Sequence, residues 1–149
     1  MDKLFGTVAL KKIVILGFAF KSDTNDTRES PAISIVRDLL ENGAEIIIND
    51  PKVNASQIAR DLNLKENLKN LDTGIGSWRF SKEPYEAVKN VDAVLILTEW
   101  DEYKKLDWQR ISKLMRKPSW VFDARSVANI KEMQNQGLNV WSVGNGSLN

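Results

Sequence analysis

The sequence predicts an α/β domain built on a mostly parallel sheet, and three observations carry that prediction. Ile13–Leu16, Ile46–Ile48 and Ala93–Leu97 are unbroken apolar runs, the pattern of strands buried on both faces rather than one. Amphipathic stretches with helical spacing alternate with them, which is the element order of an α/β fold. Finally, Gly17 ends the first run, a polar loop follows, and Ser30-Pro31 supplies an N-cap side chain and a proline at the first helical position. The β–α–β unit this starts is expected to be right-handed, with its helix over one face of the sheet.

In chain order, Met1 to Leu10 carries Leu4, Phe5 and Val8 at helical spacing, interrupted by Gly6, and reads as the tail of a helix. After the first strand, Pro31 to Asn42 puts Ile33, Val36 and Leu40 on a broad stripe with Ile35 and Leu39 beside them, and Gly43 is the expected C′ residue. Glu45 to Asp50 is the second strand, closed by Pro51. Asn54 caps a weaker helix to Leu64, with Ile58 and Leu62 inward. Lys65 to Gly76 reads as an irregular connection, its Gly74 and Gly76 forming a flexible turn. Trp78-Arg79-Phe80 is a short strand, Ser81 to Lys89 a helix with Tyr85 and Val88 inward, and Asp92 to Thr98 the third clear buried strand. Lys105 to Lys117 is expected as one helix stopped by Pro118. Ser119 to Asp123 is a further strand, Ile130 to Gln136 a short helix ended by Gly137, Leu138 to Val143 an edge strand, and Gly144 to Asn149 a loose tail.

Composition narrows the chemistry. At 149 residues the chain is one ordinary domain, of a size that buries about 68–70% of its unfolded surface. It has no cysteine and no histidine, so thiolate chemistry, disulfides and the commonest general base and metal ligand are excluded, and no metal is expected. With 21 basic against 20 acidic residues the net charge is +1, too little to draw nucleic acid or an anionic membrane over the whole surface. No apolar segment approaches the roughly 20 residues that span a bilayer, and the start of the chain lacks a signal-peptide core; the cytoplasm is the expected compartment.

In open α/β sheets ligands bind beyond the carboxyl ends of the strands. The loops to inspect are therefore Phe18 to Glu29, Glu99 to Tyr103 and Asp123 to Val127. Lys21, Arg28 and Arg125 on these loops could converge on one anion. The first loop is neither a dinucleotide fingerprint, since Phe18, Ala19 and Phe20 stand where glycines are needed, nor a P-loop. Asp50 has two readings, a ribose acceptor or a cap on backbone amides in the Asn49-Asp50-Pro51 turn, with the cap preferred. Nothing supports Glu99 and Asp101 as a paired acid and base. Trp100, between those two acids, is the one tryptophan to weigh as a stacking platform; the other four read as core or lid.

Gly17-Phe18-Ala19-Phe20-Lys21, then Asp23-Thr24-Asn25-Asp26-Thr27-Arg28-Glu29-Ser30-Pro31, Asp50-Pro51, Thr98-Glu99-Trp100 and Phe122-Asp123-Ala124-Arg125 occur in that order. Together they resemble the C-terminal, UDP-binding domain of the UDP-glucose/GDP-mannose dehydrogenase family, and the Phe-Ala-Phe-Lys and Glu-Trp-Asp segments are most similar to its UDP-glucose 6-dehydrogenase branch. The resemblance implies a Rossmann-like three-layer domain with a mostly parallel sheet over residues 12–149. Residues 1–11 would be the end of the central linker helix that builds the family's dimer. It implies that Phe20, Lys21 and Arg125 contact the substrate UDP-glucose and that Arg28 reaches the cofactor NAD, held mainly by an N-terminal dehydrogenase half.

Such enzymes oxidise the C6 hydroxyl of UDP-glucose to a carboxylate with two NAD and a covalently acting cysteine, in homo-oligomers. Neither that cysteine nor the N-terminal half has a counterpart in this sequence. The expectation is a substrate-binding half, without catalytic residues and inactive alone. The alternatives are a free-standing nucleotide-sugar-binding or regulatory module, and a domain that has kept only the fold.

Overall fold

The computed structural model describes residues 9–21, 23–67, 75–125 and 130–142. Its strands are β1 (Lys12–Leu16), β2 (Glu45–Asn49), β3 (Trp78–Phe80), β4 (Ala93–Ile96), β5 (Trp120–Asp123) and β6 (Asn139–Ser142). The helices are α1 (Pro31–Glu41), α2 (Ala55–Leu62), α3 (Pro84–Ala87), α4 (Asp101–Lys104), α5 (Trp108–Leu114) and α6 (Ile130–Asn135). The strands form one sheet in the order β3-β2-β1-β4-β5-β6, and every pairing is parallel.

Continuous apolar runs make this sheet because a parallel strand with helices on both faces has no wet side. In β1, Ile13, Val14, Ile15 and Leu16 are all 0% exposed, and Ile13 lies between Ile46 of β2 and Ala93 of β4. The strand order reverses at β1. α1 and α2 connect strands that step one way from it, whereas α4, α5 and α6 connect strands that step the other way. Right-handed crossovers put these two groups on opposite faces and give the three layers. The carboxyl ends of strands at such a reversal are where open α/β sheets bind ligands.

The first helix starts as its sequence dictates: Pro31 occupies the first turn, and the Ser30 hydroxyl accepts a hydrogen bond from the Ala32 amide at 3.3 Å. Its buried face is Ala32, Val36, Leu39 and Leu40, with Ile33 and Ile35 half-covered at the margins of the stripe. Asn54 caps α2, as expected, by accepting from the Gln57 amide.

The structure departs from the sequence reading in two places. The helix expected from Lys105 to Lys117 is shorter, Trp108–Leu114, because Asp107 accepts a hydrogen bond from the Arg110 amide and so begins α5, and the stretch Glu99 to Tyr103, read as a loop, contributes to the separate short helix α4. An aspartate serves better as a cap than inside a helix. Gly76 is a close-packed position rather than a flexible turn: its amide donates to the Leu40 carbonyl at 2.8 Å, and a Cβ there would stand 1.8 Å from the Ala44 carbonyl oxygen. Gly74 lies outside the described residues, as do most of the expected N-terminal helix tail, the loop residues Ser126 and Val127, and the tail from Gly144.

Candidate functional site

The loop after β1 is fastened residue by residue. Gly17 has φ +100°, and a Cβ there would lie 2.4 Å from the Thr98 side chain, so only glycine lets the loops after β1 and β4 come this close. The Gly17 amide donates to the Asn49 carbonyl at 2.8 Å. The Phe18 and Ala19 amides both donate to Oδ2 of Asp50, at 2.8 and 2.9 Å. Their carbonyls accept from the Ser30 and Thr98 hydroxyls, each at 2.9 Å. The Phe20 amide donates across the loop to the Asp26 carbonyl at 2.7 Å. Phe18 and Ala19 are buried; Phe20 is 42% exposed and Lys21 is exposed, so the chain surfaces where the anchoring ends.

Asp50 is the cap and not a free acceptor. Besides Phe18 and Ala19, the Lys52 and Val53 amides donate to its Oδ1 at 2.8 and 3.0 Å, and the Trp100 indole N–H donates to Oδ2 at 3.3 Å. Five donors occupy a carboxylate in a residue 3% exposed. Trp100 is 5% exposed, which makes it a buried member of this cluster rather than a stacking platform. Next to it, the Tyr103 hydroxyl donates toward Asn49 Oδ1 at 2.9 Å, and burial together with the Asp50 and Glu102 charges holds its phenol well above the ordinary range.

Arg125 joins three loops. Its Nε donates to the Leu97 carbonyl at 3.0 Å, its Nη2 donates to the Phe20 carbonyl at 3.2 Å, and its amide donates to Asp123 Oδ1 at 3.0 Å. Glu99 Oε2 lies 3.5 Å from Nε. Phe20, Lys21 and Arg125 therefore come together at one place, with a guanidinium that retains three N–H groups after these two side-chain bonds.

Arg28 is placed differently. Its Nε and Nη2 grip the Asp26 carboxylate at 3.1 and 3.0 Å, with 89% of its side chain exposed. These hydrogen bonds lower the Asp26 pKa and raise that of Arg28. The segment around it is docked on α2: the Thr27 hydroxyl donates to Asp61 Oδ2 at 2.6 Å, and the Gln57 amide group donates to the Asn25 carbonyl at 2.8 Å. Gln57 and Asp61 thus shape the site without any signal for it in the sequence, since each reads locally as a helix-surface residue, whereas Ser30 and Thr98 stand in the motifs already singled out but read locally as a cap and a strand end. Among the described residues no group of His, Cys, Asp or Glu gathers to hold a metal ion, and no helix is long and apolar enough to cross a membrane.

Comparison with known proteins places the domain in a family. Residues 14–130 match the family model of the UDP binding domain of the UDP-glucose/GDP-mannose dehydrogenase family. A UDP-glucose 6-dehydrogenase of Bos taurus is 47% identical over 97% of this chain and 29% of its own length. UDP-glucose 6-dehydrogenase 4 of Arabidopsis thaliana is 43% identical over 97% of this chain and 32% of its own. The chain thus spans about a third of the length of these relatives. An NDP-N-acetyl-D-galactosaminuronic acid dehydrogenase from Methanosarcina mazei Go1 superposes with a TM-score of 0.73 at 23% identity, covering 96% of this chain and 26% of that one, a likeness of fold. The chain belongs to the UDP-glucose/GDP-mannose dehydrogenase family, as its UDP binding domain.

Proposed function

We propose that this domain binds UDP-glucose for an NAD-dependent UDP-glucose 6-dehydrogenase, through Phe20, Lys21 and Arg125, and that it is inactive without an N-terminal dehydrogenase half. One observation carries the site: Arg125 is hydrogen-bonded to the Phe20 carbonyl at 3.2 Å, next to an exposed Lys21, at the carboxyl end of the sheet where the strand order reverses. Two cations held on neighbouring loops suit a diphosphate, for which charge-assisted hydrogen bonds are the strong contacts. Phe20, two-fifths exposed, offers an apolar surface beside them.

In the complete enzyme NAD would accept hydride from C6. This chain's share is to bind and orient the sugar nucleotide. Arg28 suits a dinucleotide phosphate: two of its N–H groups are taken by Asp26, and the remaining donors of the exposed guanidinium are available. Residues 1–11 are the end of the linker to the N-terminal half and residues 12–149 the binding domain, in a cytoplasmic homo-oligomer.

The test is calorimetric titration of the chain with UDP-glucose and UDP, alongside absorbance of NADH after mixing with UDP-glucose and NAD. Binding without NADH is expected. Millimolar ligand that produces neither heat nor a thermal shift overturns the binding assignment. NADH formation by the chain alone overturns its inactivity.

A further inference from the structure

Resting on that reading of the site, we propose that Glu99 is a specificity-determining residue: by cancelling part of the Arg125 charge, it selects a doubly substituted diphosphate, as in a nucleotide sugar, over a free nucleoside diphosphate.

Glu99 lies three residues past the end of β4 and reaches Arg125 without a hydrogen bond to it. Its Oε2 lies 3.5 Å from Nε, is shielded from solvent, and receives no hydrogen bond among the described residues. A carboxylate oxygen so placed contributes charge rather than orientation. The orientation of Arg125 comes from neutral acceptors, the Leu97 and Phe20 carbonyls, while the Asp123 carboxylate is engaged by the Arg125 amide. Removing the Glu99 charge therefore leaves the guanidinium in place and presents its full charge to a ligand at this end of the sheet.

The other charges around Glu99 have separate roles. Lys21 on the first loop is exposed, Asp50 is filled by five N–H donors, and Asp101 on α4 lies 3.7 Å from Lys104. The part of the edge open to a ligand combines Lys21, Arg125 and Glu99, two positive charges against one negative.

The two ligand classes differ by one charge. A diphosphate esterified at both ends carries two negative charges across the neutral range. A nucleoside diphosphate ends in a terminal phosphate substituted at one oxygen only, whose second ionisation near pH about 6 adds a third. Glu99 disfavours that third charge, which is selection against a wrong ligand rather than for the right one. The discrimination should appear as pH rises through the phosphate's ionisation. The chain has no histidine or cysteine, the side chains that most often change charge in that interval; Glu102 on α4, whose pKa burial and the Asp50 and Glu83 charges raise, is common to every variant compared.

The experiment measures affinities for UDP-glucose and UDP by calorimetry at about pH 5.5 and about pH 8, in the wild-type chain and in Glu99→Gln, Glu99→Ala and Glu99→Asp. At the higher pH, Glu99→Gln and Glu99→Ala should each shift the preference toward UDP by about fivefold, with little shift at the lower pH, and Glu99→Asp should keep the wild-type preference. Gln and Ala differ in shape but share the loss of charge, so agreement between them separates charge from packing. If UDP-glucose and UDP affinities change together, or the shift is the same at both pH values, Glu99 does not discriminate and the binding site stands. If the wild-type chain binds neither ligand, both the site and this role for Glu99 fall.

Discussion

Replacing Asp50 by asparagine removes a single charge and almost no volume, yet the structure makes it one of the most damaging conservative changes available. The amide can still accept from Lys52 and Val53 through one oxygen. Its NH₂ group then faces three donors, the Phe18 and Ala19 amides and the Trp100 indole. A buried donor left without an acceptor costs about 1–3 kcal/mol. Three of them, partly relieved by rotation of the amide, give a destabilisation of about 3–5 kcal/mol. That is a large share of the roughly 5–15 kcal/mol that holds an ordinary domain. At about 2–4 °C per kcal/mol for a domain of this size, the midpoint should fall by about 6–20 °C. Urea unfolding followed by circular dichroism measures the change, with Asp101→Asn, an exposed α4 position, as a control. A Asp50→Asn chain within about 1 kcal/mol of wild type would refute the view that this carboxylate anchors the loops.

Three further expectations follow from the same geometry. Lys21→Ala and Arg125→Ala should each weaken UDP-glucose binding by about 1.5–3 kcal/mol, seen by calorimetry, whereas Arg28→Ala should leave it unchanged. Gly76→Ala, which places a methyl 1.8 Å from the Ala44 carbonyl oxygen, should cost about 3 kcal/mol in urea unfolding; Gly137→Ala, with open space and only φ +87° to resist it, should cost about 1 kcal/mol. Tyr103→Phe should cost about 1–2 kcal/mol by leaving Asn49 Oδ1 without its donor. Because the folded state holds the Tyr103 phenol well above its ordinary value, the neutral form stabilises the fold fully below pH about 10, and that contribution is lost as pH rises further. The wild-type chain should therefore lose stability above that pH more steeply than Tyr103→Phe.

The strands were readable because parallel strands covered on both faces leave continuous apolar runs, and the helix starts because Ser30, Asn54 and Pro31 act within one turn. The later start of α5 at Asp107 is harder to read, although its cap also acts within one turn, because the apolar stripe that runs to Met115 already begins at Leu106. The site was legible only as far as local chemistry reaches. The Asn49-Asp50-Pro51 turn announced a cap for Lys52 and Val53, but the donors that make Asp50 an anchor, Phe18, Ala19 and Trp100, lie 32, 31 and 50 residues away. Trp100 misled for the same reason: between two acids it reads as exposed, and its burial is decided by Asp50 on another strand. The pairing of Glu99 with Arg125 needs β4 and β5 to be neighbours first. The Asp26–Arg28 pair, only two residues apart, was within reach of the sequence and was not drawn from it.

The central position of β1 has a consequence for how the chain reaches its fold. β2 and β3 can join one side of β1 once Phe80 has been made, but its other side is completed only by Ala93–Ile96, with Lys12 and Asp92 tied across 80 residues. Until then Ile13–Leu16 forms an open apolar edge, the kind of surface through which incomplete chains associate. Pairing over such separations is slow compared with helix formation. A chain halted after Asn90 should therefore accumulate in aggregates, and the full chain should refold in a step limited by the docking of β4.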